Sequence, residues 1–454
     1  MNVAIIGTGY VGLTTGVCLA YIGHSVTCLD TDAEKIEALK AGRVPIYEPH
    51  LDTFILESSE RLRFTTSYAE AIPWAQVIFI AVGTPPTPSG NPNLEYLSQA
   101  ATCVGEHLGR EFTVVVNKST VPIGSGNWVG SIIRHSLEGR HGKKVNGLFA
   151  VASNPEFLRE GAAIGDSLYP DRIVIGSDET HALEVLYTLY RPILDQTFAA
   201  PTYLPRPEEK GAVPLVSTDL ASAELIKYAA NAFLALKISF INEIGQLAER
   251  VGANITEVAR GIGLDSRIGS RFLSAGLGWG GSCFGKDTAA LVATGREYGL
   301  TMPIVEAARW MNQHQRDRIL EKLLQEVKIL KGKTIALLGL AFKPNTDDLR
   351  EAPAVEIAQR LIERGARVHA HDPIAMDRFK REYGSLGVHL CDKVEQVLED
   401  CDAAILVTEW TEYRELDWQK LGSLMRTRII LDGRLVLNRE ELSKQGFRYV
   451  GISG

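Results

Sequence analysis

Residues 3–21 read VAIIGTGYVGLTTGVCLAY: a β-branched run from Val3 to Gly7 passes directly into GTGYVG, Gly7 to Gly12, and then into an apolar helical pattern, Leu13 to Tyr21. Glycines at these positions permit a tight turn and let backbone N–H groups come close to a pyrophosphate, whose charge the positive end of the helix stabilises. Further on, SVTCLD ends in Asp30, about where this motif sets an acid against a ribose hydroxyl, roughly 20 residues after the glycines. An acid there repels a 2′-phosphate, so NAD is the expected cofactor rather than NADP. A glycine triplet alone marks only a turn. Strand, glycines, helix and acid in register mark a dinucleotide site.

Outward from this motif, short apolar runs alternate with helical patterns, the signature of a parallel sheet covered by helices. Expected strands are Val3 to Gly7, Ser25 to Asp30, Val77 to Val82, Thr113 to Lys118, Phe149 to Ser153 and Arg172 to Ile175, a sheet of at least six. The stretch from Leu204, with Pro205, Pro207, Pro214 and several charges, reads as a linker. Thr218 or Asp219 then caps a long helix; continued to about Arg250 it spans on the order of 45 Å. So apolar a helix is buried on several faces, a spine between domains and a candidate dimer contact. From Lys333 the α/β pattern restarts, with strands at Thr334 to Gly339, Arg367 to His371, Ala403 to Thr408 and Arg428 to Asp432. AEAIPWAQVIFIAV (69–82) and VEQVLEDCDAAILV (394–407) share a short helix, a polar turn and a strand, so the two ends look like copies of one doubly wound plan. The expected fold class is α/β, with two doubly wound Rossmann-like domains joined by a long central helix and a helical dimerisation region. The expected division is 1–203 for the NAD-binding domain, 204–216 for the linker, 217–315 for the helical region and 316–454 for the second Rossmann-like domain.

With 454 residues the chain exceeds a single growing core. A net charge of -7 gives no overall attraction to nucleic acid or an anionic membrane. No apolar stretch approaches the roughly 20 residues of a membrane span, and the N-terminal run, with no preceding Lys or Arg and with interrupting glycines, is strand, turn and helix rather than a signal peptide. The six cysteines, 18, 28, 103, 283, 391 and 401, form no CxxC pair; a reducing, cytoplasmic location fits best.

Ligands of a doubly wound sheet lie beyond the carboxyl ends of its strands. Three such ends carry unusual residues: VGTPP (82–86), NKSTVP (117–122) and SNPEFLREG (153–161). Each alone is ordinary loop chemistry; together they place hydroxyls, prolines and carboxylates on one edge. In the spine helix, Lys227 and Asn231 sit one turn apart in an otherwise apolar stretch. A Lys there either snorkels to the helix edge or is buried, where it stabilises a developing oxyanion. The loop GWGGSCFGKD (278–287) suspends Cys283 among glycines, with Lys286 and Asp287 within a turn. A thiolate attacks carbonyls, and nearby positive charge favours it; the other five cysteines, in strand or helix patterns, fit small buried hydrophobes. His369 and His371, two apart on a strand, lack a third ligand nearby and read as a strand-end pair, so no metal is expected.

An NAD fingerprint, STVP, NPEFLREG, AELIKYAANAFLALKISFINE and GGSCFGKD, in this order along essentially the whole chain, resemble the UDP-glucose/GDP-mannose dehydrogenase family. Within it the cysteine loop is similar to that of members acting on UDP-glucose; members that oxidise N-acetylated sugars tend to have a histidine where this chain has Ser282. The resemblance implies a four-electron oxidation of the sugar C6 alcohol to a carboxylate, with two NAD reduced and Cys283 holding the carbon as a thiohemiacetal and then a thioester. It implies that Lys227 and Asn231 stabilise charge on the C6 oxygen, that Asp287 and Thr120 hold water or manage protons, and that Glu156 is a base for thioester hydrolysis beside Glu160. Phe157, Leu158, Arg267, Phe272, Gly280, Phe342, Lys343 and Arg434 would bind the nucleotide sugar, with Arg267 contributed across a homodimer interface. Gly7, Gly9, Tyr10, Val11, Gly12, Asp30, Lys35, Thr84, Thr120, Lys286 and Arg350 would bind NAD. The same chemistry on GDP-mannose or a UDP-N-acetylhexosamine is the alternative. A two-electron β-hydroxyacid dehydrogenase would share the NAD domain and long helix but need neither Cys283 nor a second nucleotide domain, and a non-catalytic binding module would not need this set of polar residues.

Overall fold

Along β1 (Asn2–Ile6), Val3 and Ile5 enter one apolar cluster while Ala4 and Ile6 enter another. Successive side chains of a strand point to opposite faces, so a strand apolar at every position has a core on both sides. The same holds for β4 (Val77–Ile80), where Val77 and Phe79 face one cluster and Ile78 and Ile80 the other. The computed structural model describes residues 1–85, 87, 92–142 and 147–454; Pro86 of the VGTPP loop lies outside them.

With β2 (Ser25–Leu29), β3 (Leu62–Thr65), β5 (Thr113–Asn117), β6 (Phe149–Ser153), β7 (Ile173–Gly176) and β8 (Leu215–Thr218), these strands form an eight-stranded sheet ordered β3-β2-β1-β4-β5-β6-β7-β8 among the described residues. β3 and β8 were not among the expected strands: LRFT carries Arg63, and β8 follows directly on the proline-rich stretch, so neither is a bare apolar run. β7 pairs with β6 antiparallel, which lets a loop and the short Ala163–Leu168 helix replace a full crossover helix.

The chain divides into two compact units: Met1–Ala230 with Ala289–Thr294, and Asn231–Thr288 with Gly295–Gly454. The spine helix is continuous over Leu220–Val251 and passes from the first unit into the second. In the second unit β9 (Thr334–Leu338), β10 (Arg367–His371), β11 (His389–Leu390), β12 (Ala403–Leu406), β13 (Ile429–Asp432) and β14 (Arg448–Gly451) form a parallel six-stranded sheet ordered β11-β10-β9-β12-β13-β14. Both sheets place the first strand between the second and the strand that follows the reversal. The repeated doubly wound plan read from the two ends is therefore present. No described helix is long and apolar enough to cross a membrane.

Candidate active site

β1 ends at Ile6 and the chain turns at Gly7, with φ 98° and its N–H donating to Leu29 O at 2.7 Å. The following helix, Tyr10–Tyr21, starts at Gly9 with neither a side-chain cap nor an acid in its first turn. A Cβ on Gly12 would lie 1.9 Å from Gly7 O, so the turn closes only with hydrogen there. The bare helix start and the close approach of these two backbones fit a pyrophosphate.

Asp30 follows β2. Its Oδ2 accepts from Thr8 N and Oγ1 at 2.8 and 2.7 Å and from Lys35 Nζ at 3.2 Å, and its Oδ1 from Asp32 N at 3.1 Å. Burial presses against ionisation, but the Thr8 and Asp32 hydrogen bonds and the Lys35 charge outweigh it and hold this carboxyl below its ordinary pKa. Asp30 is thus an ionised acceptor beside the glycine turn, and Lys35 its partner.

The three strand-end loops are cross-tied. Thr84 Oγ1 donates to Thr120 O at 2.9 Å, Ser119 Oγ to Val82 O at 2.7 Å, and Lys118 Nζ to Asn154 Oδ1 at 2.9 Å. Asn154 is itself held by Val174 O and the Tyr190 hydroxyl, at 2.7 and 2.5 Å. Two residues on, buried Glu156 sets Oε2 3.7 Å from Lys227 Nζ. Lys227 is only 4% exposed, so it is a buried cation rather than a snorkelling one. Phe157 lies under the Arg172 guanidinium, 3.8 Å from the ring centroid, with Lys227 Nζ at 5.4 Å. Leu158 and Glu160 are half-buried on the same loop.

Sequence reasoning missed Lys118 and Arg172. Burial pushes the Lys118 ammonium down to about 8; the Glu156 charge opposes this and the smaller effect of Lys227 adds to it. A lysine directly after the apolar run TVVVN, at a strand's carboxyl end, was the available signal.

In the second unit, Cys283 stands at the head of the Phe284–Glu297 helix, where its carbonyl accepts from Asp287 N at 2.8 Å and where a helix favours negative charge. The residue is half-buried, and its sulfur lies 3.4 Å from the Ser282 hydroxyl. One turn on, Asp287 is fully buried and accepts from Asn231 Nδ2 at 2.6 Å, with Lys286 Nζ 3.6 Å from its other oxygen. Of the other five cysteines four are buried; Cys103, on the rim of the Glu95–His107 helix, is half-buried.

The loop before Cys283 is braced by protein. Gly281 N donates to Arg350 O, Asn312 holds both Trp279 N and O, and Arg316 holds Trp279 O and Glu351 O. A Cβ on Gly280 would come within 2.5 Å of Glu351 O, and one on Gly285 would strike the Glu351 carboxylate. These glycines permit close packing inside the second unit.

Phe342 packs over Gly281, and Lys343 Nζ lies 5.4 Å from the Phe342 ring. Arg434 reaches Val407 O at 2.6 Å and Glu409 at 3.1 Å. Arg350 is exposed and forked onto buried Asp348. Arg267 is exposed and forked onto Asp265, and Phe272, with φ 65°, faces Phe284 at 6.3 Å between centroids. His371 bonds the Tyr413 hydroxyl at 2.8 Å, and the His369 ring lies against His389.

Residues 1–194 match the UDP-glucose/GDP-mannose dehydrogenase family, NAD binding domain; residues 221–314 match its central domain and residues 336–439 its UDP binding domain. The chain is 44% identical over 453 residues to the UDP-glucose 6-dehydrogenase TuaD of Bacillus subtilis, covering 99% of this chain and 93% of that one. It is 45% identical to a UDP-glucose 6-dehydrogenase of Rhizobium meliloti, covering 100% and 99%. Among solved structures, a UDP-glucose dehydrogenase from Pyrobaculum islandicum superposes with a TM-score of 0.88 at 38% identity, over 99% of this chain and 97% of that one. A UDP-D-ManNAc dehydrogenase from Pyrococcus horikoshii gives 0.83 at 27% identity, over 100% and 99%.

Proposed function

This chain belongs to the UDP-glucose/GDP-mannose dehydrogenase family of NAD-dependent oxidoreductases, and we propose that it oxidises UDP-glucose to UDP-glucuronate at C6 through a covalent bond to Cys283. The observation that carries this reading is the arrangement around the thiol: Cys283 heads a helix, and a turn later a fully buried Asp287 is tied to Asn231 at 2.6 Å. A buried acid on a cysteine loop has no packing purpose that an apolar residue would not serve at lower cost.

NAD supplies a hydride acceptor when bound, and the reaction uses it twice. Gly7, Gly9, Tyr10, Val11, Gly12, Asp30, Lys35, Thr84, Thr120, Lys286 and Arg350 would hold it. Cys283 adds its sulfur to the C6 aldehyde while its proton goes to the aldehyde oxygen, giving a thiohemiacetal; after the second oxidation the carbon is a thioester. Water then breaks the C–S bond, releasing the carboxylate and restoring the thiol. Lys227 and Asn231 stabilise the charge that develops on the C6 oxygen. Asp287 and Thr120 hold the water, and Glu156, close to Lys227, is the base that draws its proton. Phe157, Leu158, Glu160, Arg267, Phe272, Gly280, Phe342, Lys343 and Arg434 take the rest of the nucleotide sugar. Three parts carry these roles, 1–203, 217–315 and 316–454, with 204–216 as the linker.

The same reading makes the protein a cytoplasmic homodimer. Leu225, Phe233, Phe240, Leu247 and Val251 are exposed along one side of the spine helix, an apolar stripe that a second copy would cover, with the partner's Arg267 completing the sugar site. Sedimentation as a monomer at working concentration contradicts the dimer. For the reaction, NADH is counted per sugar consumed: two per UDP-glucose is expected, one excludes the thioester route, and turnover of GDP-mannose or a UDP-N-acetylhexosamine alone reassigns the substrate.

A further inference from the structure

Two buried acids outside the chemistry just assigned hold the loops that carry it. Glu224 stands on the spine helix three residues before Lys227 and is 3% exposed. Its Oε2 accepts from Gly124 N at 2.6 Å and its Oε1 from Gly126 N at 2.8 Å. Glu48, in the YEPH segment, is also buried; its Oε2 accepts from Gly161 N and its Oε1 from Ala163 N, both at 2.6 Å.

The two arrangements repeat one device. Each carboxylate uses both oxygens on two main-chain N–H groups where a catalytic loop enters the next helix, Ser125–His141 after the Thr120 loop and Ala163–Leu168 after the Glu156 loop. Neither helix has a side-chain cap from its own N-cap residue. A local Ser, Thr or Asn would satisfy such N–H groups without burying a charge. Acids 98 to 115 residues distant in sequence do so instead. A local cap fixes only its own helix, whereas a remote acid fixes the loop's far end to another element. The near ends are already fixed, by Ser119 on Val82 O and by Asn154 on Val174 O. Each loop is thereby pinned on both sides of its reactive residue.

We propose that Glu224 and Glu48 are positioning residues for the reaction: Glu224 registers the Thr120 loop to the helix that carries Lys227, and Glu48 registers the Glu156–Glu160 loop. The proposal rests on the nucleotide-sugar oxidation described above. Burial raises the Glu224 carboxyl to about 7 against the pull of Gly124 and Gly126 N–H, as expected of an acid kept in an unfavourable place for its geometry.

Glu224→Gln and Glu48→Gln keep size but turn an N–H donor toward a backbone donor. Melting temperatures, binding of UDP-glucose and of NAD by calorimetry, and steady-state kinetics well below the melting point are compared with the unaltered enzyme. For Glu224→Gln, kcat falls about tenfold or more while the UDP-glucose Kd stays within about threefold, because Thr120 and Lys227 act at the reacting carbon. For Glu48→Gln, the UDP-glucose KM rises about fivefold or more while the NAD KM stays within about twofold. If a Gln variant does not fold, the Asp variant, with both acceptors on a shorter stem, is read by the same criteria. Lower melting temperatures with kcat and both KM values within about twofold of the unaltered enzyme would reduce these acids to structural caps and overturn the proposal. If the unaltered enzyme oxidises a different nucleotide sugar, the substrate assignment fails, and the same split is read on that sugar.

Discussion

The two doubly wound sheets make the same turn and then part. Gly7 after β1 has φ 98° and donates to Leu29 O at 2.7 Å; Gly339 after β9 has φ 100° and donates to His371 O at 2.9 Å. In each, an acid follows the neighbouring strand, Asp30 after β2 and Asp372 after β10. Around Asp30 the loop stays small, with Gly9 and Gly12, and the acid keeps partial exposure. Around Asp372 the loop continues as Leu340 and Ala341, whose N–H groups donate to Oδ2 at 2.7 and 3.0 Å, with Trp410 Nε1 on the same oxygen and Ile374 and Ala375 N on the other. One acid stays partly exposed, with two main-chain N–H groups and two side chains on it; the other is fully buried, with four main-chain N–H groups and one indole on it. A topological plan survives such a change because the strand order depends on the apolar runs, whereas cofactor binding depends on a few residues at one strand end.

The comparison breaks most sharply at Gly12. Gly12→Ala puts a Cβ against Gly7 O and is expected to weaken NAD binding about a thousandfold or more, whereas Ala341→Gly in the second copy creates no second NAD site. Calorimetric stoichiometry and affinity check both, and a second NAD bound by the Ala341→Gly protein would mean that the glycines alone decide.

Next is Asp372→Asn, which turns an amide toward buried N–H donors and costs about 2–4 kcal/mol of stability by denaturant midpoint. Asp30→Asn costs less than about 1 kcal/mol, yet weakens NAD about tenfold. Equal stability losses would erase the distinction between a ligand's acid and a backbone's acid. Trp410→Phe, removing one of five donors from Asp372, costs about 1 kcal/mol.

The smallest effect is in acid. Asp30, held below its ordinary pKa in the folded chain, adds stability that is present above the unfolded carboxyl value and lost as pH falls through the folded one. Asp30→Asn therefore shallows the acid limb of the stability profile, and an unchanged limb in acid titration of the melting temperature would remove Asp30 from the ionised set.

Much of this contrast was readable in the chain. VAIIGTGYVG and LLGLAFKP announce the same strand end, and the absence of further glycines after Gly339 marked the second loop as altered. The apolar periodicity also located the spine helix, expected from Thr218 or Asp219 to about Arg250 and found at Leu220–Val251. Other features were hidden because they join distant segments. Nothing in YEPH says that Glu48 will cap residues 161 and 163, and nothing in LAFKP says that Asp372 will be consumed by its neighbours' N–H groups. The glycines around Cys283 were visible, but their partner Glu351 was not, since a Cβ clash exists only once the loop is packed. Lys118 escaped because a lysine after a strand is usually solvated; its burial beside Glu156 and Lys227 exists only once the chain is folded.

The proposed reaction turns on one thiol, that of Cys283. Intact-protein and peptide mass spectrometry of the enzyme quenched during turnover with UDP-glucose and NAD tests it directly. The account predicts a nucleotide-sugar adduct on the peptide carrying Cys283, lost in Cys283→Ala together with the second NADH. An adduct on another cysteine, or full two-NADH turnover by Cys283→Ala, would contradict it.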